Sequence, residues 1–273
     1  MIKFEHSIFA LPFAYMGLFW GEGGMPSARL FLWVTLAMVG FRTMAMALNR
    51  IIDAAIDAAN PRTAKRAIPA GRLKPAFAWA AVAVSFSVFE ASAWALGRLC
   101  FSLSPIPVFL AVLYPYAKKI TWLSHALLGM ILGIAPYAAW LASRGVFAWE
   151  PGFLTAGVAS WVAGFDILYA LQDQDFDRNA GLYSVPAVFG TQAALQSAKA
   201  LHLAAVLFWA GAGLAGKLGV FYFAGLGFSA LLLAREHWLV HTFGLGKINE
   251  AFFTMNAMIS ILVFSGLAAD LLS

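Results

Sequence analysis

Apolar residues run along the chain in long blocks, several of them about twenty residues, separated by short stretches of Gly, Pro and charge. Wound as a helix, a block of that length matches the hydrocarbon core of a bilayer. Nowhere do apolar and polar positions alternate as they do in a transmembrane β-barrel. In lipid every backbone N–H and C=O must find its partner within the chain, which leaves helices. The breaks predict about nine spans, over residues 7–21, 28–57, 75–97, 101–116, 122–142, 152–173, 190–215, 218–238 and 249–271. The second is too long for a bilayer alone, so its C-terminal end is expected to project beyond the hydrocarbon. The expected fold is an all-α integral membrane bundle, one domain over residues 1–273, with a central cavity opening to the cytoplasmic side.

Composition sharpens this picture. Hydrophobic residues make up 62% of the chain and charged residues 11%, where a soluble domain carries about 25% charge. There are too few charged side chains to cover a soluble globule of this size. No small-x-small cleavage site follows the first apolar run, so that run is expected to be a membrane helix and not a removed signal peptide. The single cysteine, Cys100, excludes an intramolecular disulfide and a Cys-rich metal site.

Lysine and arginine orient the bundle. With nine spans, eleven fall on one side: Lys3, Arg62, Lys65, Arg66, Arg72, Lys74, Lys118, Lys119, Arg178, Arg235 and Lys247. Four fall on the other, Arg29, Arg98, Arg144 and Lys217, while Arg42, Arg50 and Lys199 lie within spans. The rich side is expected to be cytoplasmic, in an inner membrane, with the N-terminus inside and the C-terminus outside. The net charge of +5 then reads as attraction to anionic lipid and calls for no nucleic-acid partner.

Chemistry enters with the acids. Six of the seven aspartates fall in two short segments, Asn49-Arg-Ile-Ile-Asp53-Ala-Ala-Ile-Asp57 and Asp166-Ile-Leu-Tyr169-Ala-Leu-Gln172-Asp173-Gln-Asp175-Phe-Asp177. Residues four apart stack on one helical face, so Arg42, Asn49, Asp53 and Asp57 share an arc of roughly 80°. Asp166, Tyr169, Asp173 and Asp177 share a similar arc if their helix persists, with Asp175 pointing away. The two segments look like facing halves of one site, with one rhythm at 49/53/57 and 169/173/177.

Carboxylates gathered at membrane depth repel unless something neutralises them, and intramembrane ionisable groups are costly and usually functional. Hard divalent cations with oxygen ligands do this, and magnesium typically bridges carboxylates to substrate phosphates. Magnesium is favoured over zinc because no Cys or His accompanies the acids. Basic segments supply the other half of a diphosphate site: Arg62, Lys65 and Arg66 follow the first motif, and Tyr114, Lys118 and Lys119 lie on the same side. Lys65 or Lys119 taken alone reads equally well as a solvated helix end. His6, His125, His202, His237 and His241 are scattered without metal-ligand spacing and are read as structural.

At these residues the sequence resembles the UbiA superfamily of intramembrane prenyltransferases. The family motifs N-D-x-x-D-x-x-x-D and D-x-x-Y-x-x-Q-D-x-x-x-D match Asn49–Asp57 and Asp166–Asp177, the first departing where Arg50 replaces Asp. The Lys65-Arg66-x-Ile-Pro-x-Gly and Tyr114-x3-Lys118 segments are also similar. The segments from Lys3 and from Asn49 to Thr63 resemble the 4-hydroxybenzoate polyprenyltransferase-like subgroup, which includes the MqnP-like enzymes thought to use 1,4-dihydroxy-6-naphthoate. Arg50 is typical of that subgroup.

The resemblance implies transfer of a polyprenyl group from an allylic diphosphate to a carboxylated aromatic acid, in ubiquinone or menaquinone biosynthesis. It implies two magnesium ions, one on Asn49, Asp53 and Asp57 and the other on Asp173 and Asp177. It implies diphosphate contacts from Arg66, Lys118 and Tyr114, with Lys65 and Lys119 beside them. Arg42, two to three turns deeper, would orient the acceptor's carboxylate with Asp166 or Tyr169 assisting; equally, it would be a structural partner of one of the aspartates.

Two other classes use intramembrane acids. A cation- or proton-coupled transporter uses them as relays, but that leaves the adjoining basic segments and the placement of both motifs at one face without a role. The CDP-alcohol phosphotransferases carry one Asp/Gly/Arg-rich run, whereas here the acids are split between distant segments.

Overall fold

The computed structural model describes residues 7–244 and 254–273. Lys3, His6, Lys247 and the first part of the ninth expected span lie outside them. Among the described residues the regular structure is entirely helical, with no strand. Twelve α-helices follow in order: α1 (Ser7–Glu22), α2 (Ala28–Ile52), α3 (Ala54–Ala59), α4 (Pro75–Leu96), α5 (Arg98–Leu103), α6 (Pro105–Ala117), α7 (Ser124–Arg144), α8 (Glu150–Ala170), α9 (Gln174–Asn179), α10 (Val185–Ala215), α11 (Val220–Phe243) and α12 (Asn256–Leu272).

Each expected span meets a helical stretch, the fourth as the pair α5 and α6. Among the described residues, six stretches are long and apolar enough to cross a membrane: Ala28–Ile52, Pro75–Leu96, Arg98–Ala117, Ser124–Arg144, Glu150–Asn179 and Val185–Ala215. Helices α1 and α12 are short for a crossing, at 16 and 17 residues. Helix α11 carries Arg235, Glu236, His237 and His241 near its end.

Local chemistry starts and stops these helices. Ser27 and Ser184 cap α2 and α10, accepting from the amides of Leu30 and Ala187. Proline occupies the first turn of α4, α6, α8 and α10, where its missing N–H is not needed. Gly145 ends α7 in the left-handed region at φ 67°.

Packing divides the bundle in two around a space. Helices α1, α7, α8 and α10 form a row, and the α11–α12 pair closes on α1. Their core centres on Phe13, Trp161, Trp209 and Tyr222, with Phe13 stacked on Trp209 at 5.4 Å and tilted against Trp161 at 5.1 Å. Gly17 lets α1 lie against α7, since a Cβ there would sit 1.9 Å from the Pro136 carbonyl oxygen. Such small-residue approaches are how helices pack where lipid supplies no hydrophobic drive. Helix α2 pairs instead with α4 and touches the row lightly.

The helix ends sort into two groups. At one end Trp20 meets Trp140 at 5.6 Å, and the Asp270 carboxylate accepts from the amides of Phe221 and Tyr222 at 3.1 and 2.8 Å. At the opposite end lie the segments after α2, α6 and α8, where the Tyr183 amide donates to the Lys118 carbonyl at 2.7 Å. Both acidic motifs are at this second end, and the end of α12 is at the first.

Candidate active site

Both acidic motifs are built on a break and not on a continuous helix, which corrects the sequence reading. Asp53 stands between α2 and α3 at φ −88°, ψ 2°. Asp173 ends a 3-10 turn, Leu171–Asp173, between α8 and α9 at φ −106°, ψ 4°. Both lie near the bridge region, a sparsely populated conformation in which many active-site residues are found. No glycine or proline marks either break. The second span is therefore interrupted at Asp53, although the amides of Asp53 and Asp57 still donate to the carbonyls four residues back, and the residues from Asp166 to Asp177 pass through a 3-10 turn.

The breaks bring the two motifs together. Asn49 Nδ2 donates to Asp53 Oδ2 at 3.0 Å, and Lys118 Nζ reaches the same oxygen at 2.7 Å. Arg66 meets Asp57 Oδ1 at 2.6 Å, with Arg50 3.8 Å from Oδ2. Across the site, Asp173 accepts from Asn60 Nδ2 at 2.9 Å and Arg62 Nε at 2.8 Å, and a terminal nitrogen of Arg62 pairs with its second oxygen. Arg62 also donates to the Tyr169 hydroxyl at 3.2 Å and lies over that ring. Asp177 accepts from Ser184 Oγ at 3.0 Å. Asp53 and Asp57 are 2% and 3% exposed, a depth at which an unpaired carboxylate would be strongly disfavoured.

Whether these residues suit magnesium can be tested on the oxygens left over. Asp53 Oδ1 and Asp57 Oδ2 are buried and accept no hydrogen bond among the described residues. Two unsatisfied anionic oxygens from one helix break, beside the Asn49 amide, form the hard donor set that magnesium prefers. Among the described residues no three acids, cysteines or histidines converge closely enough to form a metal cluster; each carboxylate instead faces a cation or a hydroxyl.

Below this charged mouth lies a cavity of about 1020 Å³ between α2, α4, α6, α7 and α8. Its α2 wall runs from Val34 to Arg50, sixteen residues or about 24 Å of helix. The polar lining gathers near the mouth: Asn49, Arg50, Arg62, Lys65, Arg66 and Tyr114. Deeper in, Phe41, Phe89, Leu96, Tyr137 and Phe147 make the wall mainly apolar. Arg42, Asp166 and Tyr169 line the region between, and Arg42 Nε is buried without a hydrogen-bond partner. No ion pair between Arg42 and an aspartate is found among the described residues.

Of the expected residues, Asn49, Lys65, Arg66, Tyr114, Arg42, Asp166 and Tyr169 line the cavity, while Asp53, Asp57, Lys118, Asp173 and Asp177 stand beside its mouth. Lys119 is exposed, with its ammonium 5.2 Å over the Tyr116 ring, and does not line the cavity. Asp175 is exposed on α9, facing away as anticipated. Sequence reasoning did not single out Asn60, Ser184 or His125, and it gave Arg62 no role of its own. His125, read as a scattered structural histidine, places Nδ1 2.7 Å from Asp166 Oδ2.

Comparison with known proteins agrees with this geometry. The UbiA prenyltransferase family matches residues 10–258. A 4-hydroxybenzoate octaprenyltransferase of Tolumonas auensis is 28% identical over 92% of this chain and 87% of its own length. One from Alkalilimnicola ehrlichii is also 28% identical, over 93% and 86%. Among solved structures, the apo structure of a UbiA homolog from Aeropyrum pernix superposes with a TM-score of 0.91 at 34% identity, over 100% of both chains. A UbiA homolog from Archaeoglobus fulgidus bound to DMAPP and Mg2+ superposes at 0.70 with 20% identity, over 97% and 95%, a likeness of fold.

Proposed function

The chain belongs to the UbiA prenyltransferase family and is an aromatic prenyltransferase, and from that premise we propose that it transfers a polyprenyl group from an allylic diphosphate to a carboxylated aromatic acid. The acceptor is a quinone precursor of the 4-hydroxybenzoate or 1,4-dihydroxy-6-naphthoate type, on the route to ubiquinone or menaquinone. The observation that carries this reading is one cavity with a cationic mouth, whose Arg62 and Arg66 reach the motif carboxylates Asp173 and Asp57 beside it, and with a long apolar body. A diphosphate with a prenyl tail has the same division.

Arg66, Lys118 and Arg50 lie at the mouth, where they bind the diphosphate and stabilise the charge that grows on it as the allylic C–O bond breaks. Tyr114 and Lys65 complete this side. Two magnesium ions are proposed, one held by Asn49, Asp53 and Asp57 and the other by Asp173 and Asp177; when bound they supply Lewis-acid neutralisation of the leaving group. Phe165, Trp161 and Phe41 line the cavity; they exclude water from the allylic cation and offer it their ring faces. Arg42, whose Nε has no hydrogen-bond partner among the described residues, orients the acceptor's carboxylate. Asp166 and Tyr169 flank the ring that attacks the cation.

The mouth is proposed to face the cytoplasm across an inner membrane. The lysine and arginine excess supports this, being on the end that holds both motifs.

The test is prenyl transfer by purified protein in detergent. It uses a radiolabelled allylic diphosphate and magnesium, with 4-hydroxybenzoate and 1,4-dihydroxy-6-naphthoate in parallel. A labelled lipid from one acceptor, lost with EDTA and in Asp53→Ala and Asp173→Ala, supports the reading and selects the acceptor. Diphosphate binding without product from either overturns the acceptor class. Failure of folded protein to bind the diphosphate overturns the reading as a whole.

A further inference from the structure

Aromatic substitution ends with the loss of a ring proton, which needs a base close to the ring carbon. Once the ring carbon has bonded to the prenyl carbon, its C–H bond must break, the electron pair returning to the ring and the proton passing to a base. That base must face the cavity and must not already be neutralised by a neighbouring cation.

Three of the motif carboxylates fail the second condition. Asp53 meets Lys118, Asp57 meets Arg66, and Asp173 meets Arg62. Asp177 meets Ser184 and does not line the cavity. Asp166 satisfies both conditions: it lines the cavity, 20% of its side chain is exposed, and its partner is an imidazole.

The partner is fixed in a definite form. His125 is buried at 5% exposure, on α7, 41 residues from Asp166 in sequence. The backbone amide of Val185 donates to its Nε2 at 3.3 Å. A backbone N–H can only donate, so Nε2 carries the lone pair and the ring proton is on Nδ1. Nδ1–H then donates to Asp166 Oδ2 at 2.7 Å. This bond holds one oxygen of a carboxylate that lines the cavity, the arrangement by which a second group orients a base. The anchor is itself rigid, since Val185 begins α10 directly after its cap Ser184.

The depth of Asp166 agrees with the task. It lies on α8 one turn before its end at Ala170, on the cavity side of Asp173, and Arg42 lies eleven residues before Asp53 on α2, about 16 Å deeper. A ring anchored by its carboxylate at Arg42 would reach toward the mouth past Asp166.

We infer that Asp166 is the base that removes the ring proton, and that His125 is a positioning residue that acts through it. The inference rests on the aromatic prenyl transfer proposed above. The proton moves from the prenylated ring carbon to the free oxygen of Asp166, His125 keeping its own proton throughout.

The experiment compares turnover at saturating acceptor for protonated and ring-deuterated forms of whichever of 4-hydroxybenzoate and 1,4-dihydroxy-6-naphthoate the unaltered protein prenylates. In Asp166→Asn, turnover should fall by about 10²–10⁴-fold, with an isotope effect above the wild-type value because C–H cleavage has become limiting. His125→Ala should raise the isotope effect in the same direction. His125→Asn, whose amide can replace the Nδ1 donor, should return it toward wild type. A purely structural pair would lower turnover without moving the isotope effect, and that result overturns the inference, as does near-normal turnover in Asp166→Asn. If Asp166→Asn fails to fold, the two His125 variants carry the same decision. No product from the unaltered protein with either acceptor would overturn the underlying reading instead.

Discussion

Arg62 holds Asp173 by both carboxylate oxygens and at the same time donates to the Tyr169 hydroxyl at 3.2 Å. One guanidinium on the loop after α3 thereby fastens the end of α8, 111 residues away in sequence. Burial works against the charge on Arg62, but the hydrogen bond and attraction of Asp173 outweigh it and raise its pKa above the ordinary arginine value. The clamp stays charged over any pH the protein meets. Arg62→Ala should lower stability by about 1–2 kcal/mol and weaken diphosphate binding roughly tenfold, about 1.4 kcal/mol. Arg62→Lys should recover little, since an ammonium cannot form the two-pronged bond. Thermal unfolding in detergent and diphosphate titration measure both.

Asp53→Ala and Asp173→Ala should each reduce turnover by about 10²-fold or more, the scale of losing one electrostatic element of a transition state. EDTA should abolish product formation in the unaltered protein, and added magnesium should restore it. Turnover that persisted through chelation would contradict the proposed use of Asp53 and Asp57 as metal ligands.

Arg42→Ala should raise the acceptor KM by about 10- to 100-fold, as expected for losing a hydrogen bond to a charged group of about 1.5–3 kcal/mol, while diphosphate binding stays near normal. An acceptor analogue lacking the carboxylate should be a poor substrate for the unaltered protein and lose little further in Arg42→Ala. Equal losses for both acceptors would remove Arg42 from the carboxylate.

Gly157 is where α8 receives Trp209, since a Cβ there would stand 2.4 Å from its ring. Gly157→Ala should destabilise the bundle by about 1–3 kcal/mol through overpacking. At Gly152 a Cβ would meet nothing within 4 Å, so alanine should be accepted there with little change. Unfolding midpoints of the two variants in the same detergent make the comparison.

The sequence was most readable where one element carries its own pattern. Apolar blocks marked the helices, and Asn49, Asp53 and Asp57 or Tyr169, Asp173 and Asp177 declared themselves by spacing within a single stretch of chain. Residues that act only through tertiary contact gave no such sign. Arg62 looked like any loop arginine until Asp173 came beside it. His125 was set aside because metal-ligand spacing was the criterion applied, and its partner Asp166 lies on another helix. The breaks at Asp53 and Asp173 were hidden for a different reason: a four-residue rhythm is what a straight helix shows, and neither break has a Gly or Pro to announce it.

The same breaks repeat a plan. Each joins a long apolar helix to a six-residue helix, α3 or α9, and each is followed by a connector into a long helix with proline in its first turn, Pro75 in α4 and Pro186 in α10. Each half therefore delivers its acids to the mouth from a short helix set off from a long one, so either set can be displaced without moving the other.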